Sequence, residues 1–383
     1  MPERPRFVAV VGAGLAGLRA VESLLRSGLD CQILVLGDEP HLPYSRPPLS
    51  KDLLAADFEV TPFKLPVSDQ VVWRTASRVA SADLGSRRLL LDDGTPVDYD
   101  GLVVATGVRA RRLPLPGPEP LTLRTVEDAL ALKERAVGAR TALIVGGGVL
   151  GCELASMLTD AGIAVQVVVG PDEVPMQAVL GATLATELRR RHEERGTVFH
   201  TDCAVLGYTD SGAWLSDGTE VRADLVVETV GSVPNTEWLA GNGLDLAGGL
   251  LCADDLGVEG ASRVVGCGDV IRFPSRRYDG RLVRVEHWTF ASESGRHAGR
   301  TLAAQLGADA PATAFDPLPT FWTDQLGVRL QGLGLPGLGA ADHRVLDGAI
   351  AEAPVLGYHH QDALVGVVLL DRPEAVGSYR ALL

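Results

Sequence analysis

The sequence predicts an α/β protein with two Rossmann-like dinucleotide-binding domains and a small α+β domain at the C-terminus. Two observations predict this class. A strand pattern that leads into a GxGxxG turn and then into a helix pattern occurs twice in the chain. Each copy is followed by an Asp-Gly hairpin turn and an apolar Leu-Val-Val strand. One glycine fingerprint is weak support, but the repetition of the whole unit indicates two nucleotide-binding domains.

The first copy predicts a buried strand, a glycine turn, a helix and a second strand. These elements cover Phe7–Val11, Gly12–Gly17, Leu18–Ser27 and Cys31–Leu36. Gly12 allows the tight turn, Gly14 lets the backbone approach a pyrophosphate, and Gly17 lets the helix pack closely on the strand. The helix N-terminus adds unbonded N–H groups and a positive dipole. The sequence therefore predicts a phosphate site at this turn.

The second copy has the same order of elements. They cover Thr141–Val145, Gly146–Gly151, Cys152–Ala161 and Ala164–Val169. The hairpin turns that follow the two copies are Asp93-Gly94 and Asp217-Gly218. Two dinucleotide sites in one chain suggest one flavin and one nicotinamide, with a hydride passing between them.

The charge balance excludes some classes of function. The 383 residues carry a net charge of −14. Nucleic acids and anionic membrane surfaces are bound by basic faces, so we expect no general binder of either kind. No apolar stretch is long enough for a spanning helix, and the first apolar run is too short for a signal peptide. We therefore expect a cytoplasmic protein that binds no nucleic acid and no membrane.

The cysteines are scattered along the chain. They are Cys31, Cys152, Cys203, Cys252 and Cys267. None forms a CxxC or CxxxxC pair, so the sequence predicts neither a local dithiol redox centre nor a zinc ribbon. Their apolar surroundings are typical of buried, reduced thiols. We expect no metal site, since the adjacent His359 and His360 would point apart on a strand.

Further segments carry a resemblance to a known family. The main ones are Arg46-Pro47-Pro48-Leu49-Ser50-Lys51, Ala105-Thr106-Gly107, Gly266-Cys267-Gly268-Asp269, Glu286-His287-Trp288 and Trp322-Thr323-Asp324-Gln325. With them, nearly the whole chain resembles the FAD-dependent ferredoxin reductases of the putidaredoxin-reductase and rubredoxin-reductase type. These are flavoproteins with two dinucleotide-binding domains, and the resemblance implies FAD and NAD(P)H as cofactors.

The resemblance implies that FAD binds at the first fingerprint. Asp38 would bind the adenosine ribose hydroxyls, with Glu39 as the competing residue. Asp269 would accept a hydrogen bond from a ribitol hydroxyl, and Trp288 would pack near the flavin ring. The residues that the resemblance places at FAD are Gly12, Gly14, Ala16, Gly17, Asp38, Arg46, Lys51, Val79, Ala105, Thr106, Gly107, Arg124, Gly268, Asp269, Glu286, His287 and Trp288.

Lys51 and Glu153 are the candidate catalytic residues. Both match family positions near the contact between flavin and nicotinamide, so we expect them to form a pair. A cation beside the flavin ring stabilises the negative charge that builds up on reduction. The alternatives are a solvated lysine and a first-turn glutamate that is merely favoured by the helix dipole.

The nicotinamide nucleotide would bind at the second fingerprint. Its candidate residues are Gly146, Gly148, Gly151, Glu153 and Gly231. The second strand ends in Val169-Gly170-Pro171-Asp172-Glu173, so the acid that often grips a ribose 2′-hydroxyl is missing or shifted. No Arg or Lys occurs between Ala164 and Leu188 to hold a 2′-phosphate. We therefore favour NADH over NADPH.

The electron acceptor follows from the cysteines and the resemblance. Related disulfide reductases use a flavin-facing cysteine, and Tyr44–Lys51 contains none. We therefore expect hydride transfer from NAD(P)H to FAD, then single electrons to an iron–sulfur ferredoxin that serves an oxygenase.

An acidic ferredoxin would need a basic patch on this acidic chain. The candidates are Arg276, Arg277, Arg281 and Arg284, and Arg109, Arg111 and Arg112, with solvated loops as the alternative.

Three other functions stay open at this point. The first is an NADH oxidase or a small-molecule or quinone reductase. The second is a pathway-specific flavoenzyme that acts on a bound organic substrate. The third is a redox-sensing flavoprotein like apoptosis-inducing factor, which would show slow turnover and a long-lived charge-transfer complex.

The predicted domains are three. An FAD-binding domain covers 1–112 and 243–312, an inserted NAD(P)H-binding domain covers 113–242, and a C-terminal domain covers 313–383. The last has predicted strands over Val328–Gly332, Ala349–Tyr358 and Leu364–Leu370. The sequence leaves the oligomeric state open, a homodimer included.

Overall fold

The computed structural model describes residues 6–171, 174–309 and 313–383. Its strands are β1 (Arg6–Val11), β2 (Cys31–Leu36), β3 (Val71–Arg74), β4 (Val79–Asp83), β5 (Arg88–Leu91), β6 (Pro96–Asp98), β7 (Gly101–Val104), β8 (Val108–Ala110), β9 (Thr141–Val145), β10 (Ala164–Val168), β11 (Val198–His200), β12 (Val205–Thr209), β13 (Gly212–Leu215), β14 (Glu220–Arg222), β15 (Leu225–Glu228), β16 (Ser232–Pro234), β17 (Leu250–Leu251), β18 (Val264–Gly266), β19 (Ile271–Ser275), β20 (Arg281–Val283), β21 (Thr320–Gln325), β22 (Val328–Gly334), β23 (His343–Asp347), β24 (Val355–His360) and β25 (Ala363–Leu370). Its α-helices are α1 (Leu15–Arg26), α2 (Pro48–Lys51), α3 (Val126–Ala136), α4 (Val149–Asp160), α5 (Gln177–Glu194), α6 (Trp288–Gln305) and α7 (Val376–Arg380). Short 3-10 helices cover Glu237–Leu239, Gly268–Val270, Arg276–Tyr278, Pro336–Gly339 and Pro373–Ala375.

The first compact unit contains the first glycine turn. It comprises the described residues of Met1–Ser45, Thr61–Arg109 and Val233–Pro319. Its central sheet is parallel, with the strand order β18-β7-β1-β2-β3. The central strand β1 is covered on both faces, so consecutive residues must be apolar. Its residues Val8, Ala9 and Val10 are fully buried. Smaller sheets β4-β5-β6 and β17-β19-β20 complete the unit.

Helix α6 packs against α1 through glycines. A Cβ on Gly295 would lie 2.3 Å from the Ala16 backbone oxygen, and a Cβ on Gly299 would lie 2.6 Å from that of Ala20. The hydroxyl of Ser23 on α1 donates to the Arg296 backbone oxygen at 2.8 Å. The two helix backbones therefore approach closely, and any larger side chain at either glycine would separate them.

The second compact unit contains the second glycine turn and the C-terminal sheet. It comprises the described residues of Arg46–Val60, Ala110–Ser232 and Thr320–Leu383. Its parallel sheet has the order β11-β10-β9-β15, beside the antiparallel sheet β12-β13-β14. The C-terminal part is a five-stranded antiparallel sheet with the order β21-β22-β25-β24-β23, followed by α7.

Helix α5 is interrupted at Gly181. This residue has a φ of 69° and a ψ of 168° inside the helix. A Cβ there would lie 2.7 Å from Nδ1 of His343 and 2.8 Å from the Ala340 backbone oxygen. A glycine is required because the conformation is left-handed and the C-terminal domain packs directly on it.

The α/β fold class is confirmed, and so are both hairpins and most strand bounds. The helix of each fingerprint unit begins earlier than predicted, α1 at Leu15 and α4 at Val149, because the fingerprint glycines Gly14 and Gly148 are their N-caps. The strand predicted over Ala349–Tyr358 was wrong at its start, since β24 begins at Val355 after Pro354, which has no N–H to donate to a ladder.

The three-domain division by ligand stays a prediction. The structure groups Arg46–Val60 with the second unit, although the sequence placed this segment in the FAD-binding domain. None of the helices in the described ranges is both long and apolar enough to cross a membrane.

Candidate active site

The first glycine turn joins β1 to α1. Gly12 has a φ of 114°, and a Cβ there would lie 2.1 Å from the Ala105 backbone oxygen. A Cβ on Gly17 would lie 2.0 Å from the Gly12 oxygen, whereas a Cβ on Gly14 would meet no atom within 4 Å. Gly14 is the N-cap of α1, and no side chain caps this helix. Its first N–H groups therefore face space that no protein atom fills, which fits a phosphate.

The second glycine turn, between β9 and α4, repeats this geometry. Gly146 has a φ of 111°, and a Cβ there would lie 2.5 Å from the Thr229 backbone oxygen. A Cβ on Gly151 would lie 2.1 Å from the Gly146 oxygen, and a Cβ on Gly148 would meet nothing within 4 Å. Helix α4 also begins without a side-chain cap. Among the described residues, these two turns therefore each leave a helix N-terminus open at a glycine N-cap, one in each compact unit.

Asp38 lies directly beyond the carboxyl end of β2, where a ribose-binding acid is expected. Its side chain is exposed. The competing carboxylate of Glu39 accepts a hydrogen bond from the Tyr44 hydroxyl at 2.5 Å. This bond occupies part of the Glu39 carboxylate and favours Asp38 as the ribose acceptor.

The predicted turn Ala105-Thr106-Gly107 is held by a residue that the sequence analysis did not single out. Asn235 donates from Nδ2 to the Thr106 oxygen at 2.9 Å, and its backbone N–H donates to the Gly107 oxygen at 3.0 Å. The Thr106 hydroxyl donates to the Asn235 oxygen at 2.7 Å. Gly107 has a φ of 61°, which glycine tolerates. The Pro-Asn pair at 234–235 was the only local sequence cue for this role.

Gly268 and Asp269 lie next to the first glycine turn. A Cβ on Gly268, which has a φ of 81°, would lie 3.0 Å from the Ala16 Cβ. The Gly268 N–H donates to the hydroxyl of Ser294 on α6 at 3.0 Å. This contact fixes the short helix that carries Asp269, so the carboxylate predicted for the ribitol chain lies in the same unit as the first glycine turn.

Glu286, His287 and Trp288 lead into α6, which begins at Trp288. Glu286 pairs with Arg284, with 2.6 Å between Oε1 and Nη1. Burial lowers the pKa of His287 to about 4, so its ring is neutral at pH 7. Val79, the remaining candidate of this unit, is 7% exposed and begins β4. The structure therefore places these four candidates in the first unit.

The predicted pair of Lys51 and Glu153 is present in the second unit. Lys51 Nζ lies 2.5 Å from Glu153 Oε1, and only 16% and 6% of the two side chains are exposed. The Ser50 hydroxyl donates to Glu153 Oε2 at 2.9 Å, and the Asp324 N–H donates to Oε1 at 3.3 Å. Glu153 is thus fixed by three donors, of which Ser50 and Asp324 were not assigned a role from the sequence.

Arg46 and Arg124 are joined directly. Arg46 Nη1 donates to the Arg124 backbone oxygen at 2.5 Å. The next residue, Thr125, caps α3 in a capping box with Asp128. The segment that carries Lys51 is therefore attached to the start of α3.

Around the second turn, Thr229 connects β15 to the fingerprint. Its N–H donates to the Val145 oxygen at 2.7 Å, and its hydroxyl donates to the Gly146 oxygen at 2.9 Å. Gly231 follows with a φ of 97° and accepts from the Arg111 N–H at 2.9 Å. Asp172 and Glu173, on which the NADH preference partly rests, lie outside the described residues.

All five cysteines are reduced and buried. Burial raises the pKa of each thiol, for example to about 11 for Cys31 and to about 12 for Cys267. The thiolate is the reactive form, so these side chains are poor nucleophiles. Among the described residues, no group of three or more metal-ligating side chains is assembled.

The arginine clusters predicted as a docking patch are largely paired with carboxylates. Arg276 pairs with Asp254 at 2.6 Å, Arg277 with Asp316 at 3.6 Å, and Arg109 with Glu237 at 2.7 Å. Arg112 pairs with Glu119 at 3.4 Å. These carboxylates offset much of the local positive charge.

Comparison with known proteins gives consistent results. Residues 6–295 match the family described as pyridine nucleotide-disulphide oxidoreductase, and residues 320–383 match a reductase C-terminal family. The ferredoxin–NAD(+) reductase component of the anthranilate 1,2-dioxygenase system of Burkholderia cepacia is 33% identical, over 98% of this chain and 93% of the relative. A solved ferredoxin reductase for the CYP199A2 system of Rhodopseudomonas palustris is 31% identical, with a TM-score of 0.87 over 96% of this chain and 91% of the other. The reductase in a covalent putidaredoxin reductase–putidaredoxin complex is 26% identical, with a TM-score of 0.89 over 99% and 93%.

Proposed function

The chain belongs to the pyridine nucleotide-disulphide oxidoreductase family, as a ferredoxin–NAD(+) reductase. From this premise we propose that it passes electrons from NADH through FAD to an iron–sulfur ferredoxin that serves an oxygenase. FAD and NADH are its cofactor and its reductant. Relatives at this level of identity include the reductase component of a dioxygenase system, which supports an oxygenase as the final consumer.

The two open helix N-termini carry the proposal. Each is preceded by a glycine at positive φ and begins at a glycine whose missing Cβ leaves room for a phosphate. We assign the N-terminus of α1 to the FAD pyrophosphate and that of α4 to the NADH pyrophosphate, following the order in the family. Asp38 and Asp269 would accept hydrogen bonds from ribose and ribitol hydroxyls.

Bound FAD supplies chemistry that no side chain offers, because it accepts two electrons together as a hydride and releases them one at a time. The chain's own task is to orient both nucleotides and to supply charge at the reacting atoms. We propose that Lys51 provides the cation, and that Glu153 holds its ammonium group in one position. The bonds from Ser50 and Asp324 fix the carboxylate in turn.

The buried thiols support direct transfer to a one-electron partner. Every cysteine is buried with a raised pKa, so none is suited to relay electrons through a disulfide. The chain therefore supplies no thiol relay, and electrons from a bound flavin would pass to an external acceptor; ferredoxin is the acceptor named for the relatives.

The test is to purify the protein with FAD, record its visible spectrum, and follow NADH-driven cytochrome c reduction with and without an added ferredoxin. We expect a bound flavin and a rate that rises steeply with ferredoxin. Rapid NADH consumption without ferredoxin would instead support an oxidase or a quinone reductase. A cytoplasmic location and a homodimeric state stay predictions, which cell fractionation and light scattering would check.

A further inference from the structure

The end of β21 is bonded to the helix that carries the second phosphate site. The Asp324 N–H donates to Glu153 Oε1 at 3.3 Å, and the Leu326 N–H donates to the Ser156 hydroxyl at 2.7 Å. Glu153 and Ser156 lie one turn apart on α4 and are both buried. The end of β21 and the residue after it are therefore fixed along the middle of α4.

Gln325 lies between these two contacts in the sequence, and its side chain contacts His192 and Met176. Its Oε1 lies 2.9 Å from Nε2 of His192, and its Nε2 donates to the Met176 sulfur at 3.5 Å and to the Thr323 hydroxyl at 3.4 Å. Gln325 is 2% exposed and His192 is fully buried. The amide is oriented with its oxygen towards Nε2 of His192 and its NH₂ group towards Met176, an arrangement in which the hydrogen bond to His192 requires a proton on Nε2.

Met176 lies directly over the second glycine turn. Its N–H donates to the Gly147 oxygen at 2.8 Å, and a Cβ on Gly147 would lie 3.4 Å from the Pro175 Cα. Met176 has a φ of 62°, in the left-handed region, and is 4% exposed. A residue other than glycine keeps this conformation only where its surroundings hold it. The backbone of Met176 is held by the bond to Gly147 and, as the N-cap of α5, by its carbonyl, which accepts from the N–H groups of Val179 at 3.0 Å and Leu180 at 2.9 Å. Its side chain is held by the buried bond from Gln325 to its sulfur.

We propose that Gln325 is a positioning residue for NADH binding: by holding the Met176 side chain, it keeps the backbone of Met176 on Gly147 and the second phosphate turn in its binding shape. This inference rests on the proposed function only in taking α4 as the NADH site. It gives β21 a role in the binding of the nucleotide, beyond its place in the C-terminal sheet.

The test compares Gln325→Leu with the parent, as full-length, FAD-loaded protein. Ferricyanide serves as the electron acceptor, so that no ferredoxin is needed. We expect the KM for NADH to rise about 3- to 10-fold, because the buried hydrogen bond from Gln325 to the Met176 sulfur is lost. The kcat should stay within about two-fold of the parent. The Kd for NAD⁺, measured by calorimetry, should rise by the same factor, and the rise in Tm on adding NAD⁺ should shrink. FAD content should stay unchanged.

Two further variants separate positioning from general damage. Gln331→Leu, on the neighbouring strand β22, removes a similar amide from the same sheet and should leave the KM for NADH unchanged. Met176→Leu removes the sulfur acceptor at nearly constant volume and should reproduce the effect of Gln325→Leu. The effects of the two variants on KM should be less than additive when combined, because both break the same bond between Gln325 and Met176.

The inference is overturned if Gln325→Leu binds NAD⁺ and NADH as the parent does, or if its effect adds fully to that of Met176→Leu. If Gln325→Leu does not fold, Met176→Leu alone decides, and an unchanged KM and Kd then overturn it. A parent protein that does not oxidise NADH at all would instead refute the proposed function, so the two failures are distinguishable.

Discussion

Replacing Glu153 with glutamine removes the counter-ion of a lysine that has little access to water. The Lys51 side chain is 16% exposed and that of Glu153 6%, with 2.5 Å between Nζ and Oε1. Breaking a fully buried ion pair from one side costs about 3–5 kcal/mol, since the remaining charge loses its partner. Because Lys51 keeps some contact with solvent, we expect the free energy of unfolding to fall by about 2–3 kcal/mol.

The functional effect should accompany the loss of stability. Without its carboxylate partner the Lys51 ammonium group is no longer held in place, so we expect kcat with ferricyanide to fall about 10-fold or more. Urea unfolding followed by circular dichroism measures the stability, and stopped-flow reduction by NADH measures the hydride step. Lys51→Met and the double variant complete a cycle, whose coupling should be about 1–3 kcal/mol.

An exposed ion pair of the same chain is the matched control. Arg88 and Asp98 lie 2.6 Å apart, with side chains that are 57% and 69% exposed. Asp98→Asn should leave both the stability and kcat close to those of the parent, because water screens this pair. If Glu153→Gln changed stability and kcat as little as Asp98→Asn does, the assignment of a buried, functional pair would be refuted.

Four more predictions use other features. Gly146→Ala should lower the free energy of unfolding by more than about 2 kcal/mol, since its Cβ would lie 2.5 Å from the Thr229 oxygen at a φ of 111°. Gly148→Ala should leave Tm unchanged yet weaken NAD⁺ binding about 10-fold or more in calorimetry, because its Cβ meets only the phosphate space; equal Tm losses in both variants would contradict this. Burial lowers the pKa of His192 and His297 below the usual 6.5. As the pH drops through 6.5, these histidines are protonated in the unfolded chain before they are protonated in the folded protein, so the free energy of unfolding should fall. A Tm that stays constant from about pH 7.5 to about pH 5.5 would show otherwise. Iodoacetamide should leave NADH oxidation intact, since all five thiols are buried; rapid inactivation would reveal an accessible thiol.

The sequence predicted the elements whose determinants are local. Buried parallel strands are continuous apolar runs, and the bounds of Cys31–Leu36 and Thr141–Val145 are confirmed. The glycine spacing predicted both glycine turns. The backbone contacts that require a glycine at positions 12 and 146 come from a few neighbouring residues and from one adjacent strand. The Lys51–Glu153 pair spans much of the chain, and it was predicted only through the resemblance to a family.

Contacts between distant segments without a local pattern were not predicted. Asn235, Ser294 and Gln325 are polar residues in unremarkable surroundings, and each gains its role from a partner far away in sequence. The left-handed conformation of Met176 could not be predicted either, because a methionine gives no cue for positive φ. The cost of that conformation is met by tertiary bonds, which a local pattern does not encode.

The close packing of α1 on α6 has a consequence for biosynthesis. Ala16, Ala20 and Ser23 of α1 are buried in the finished protein and lie against α6, a helix that is translated much later. At about 5–20 residues per second, roughly 15–55 s separate the synthesis of α1 from that of Gly299. During that interval the nascent chain exposes an apolar helix face that only its own distant segment can cover. The growing polypeptide should therefore engage chaperones on the ribosome, and fragments that stop before α6 should be degraded rapidly.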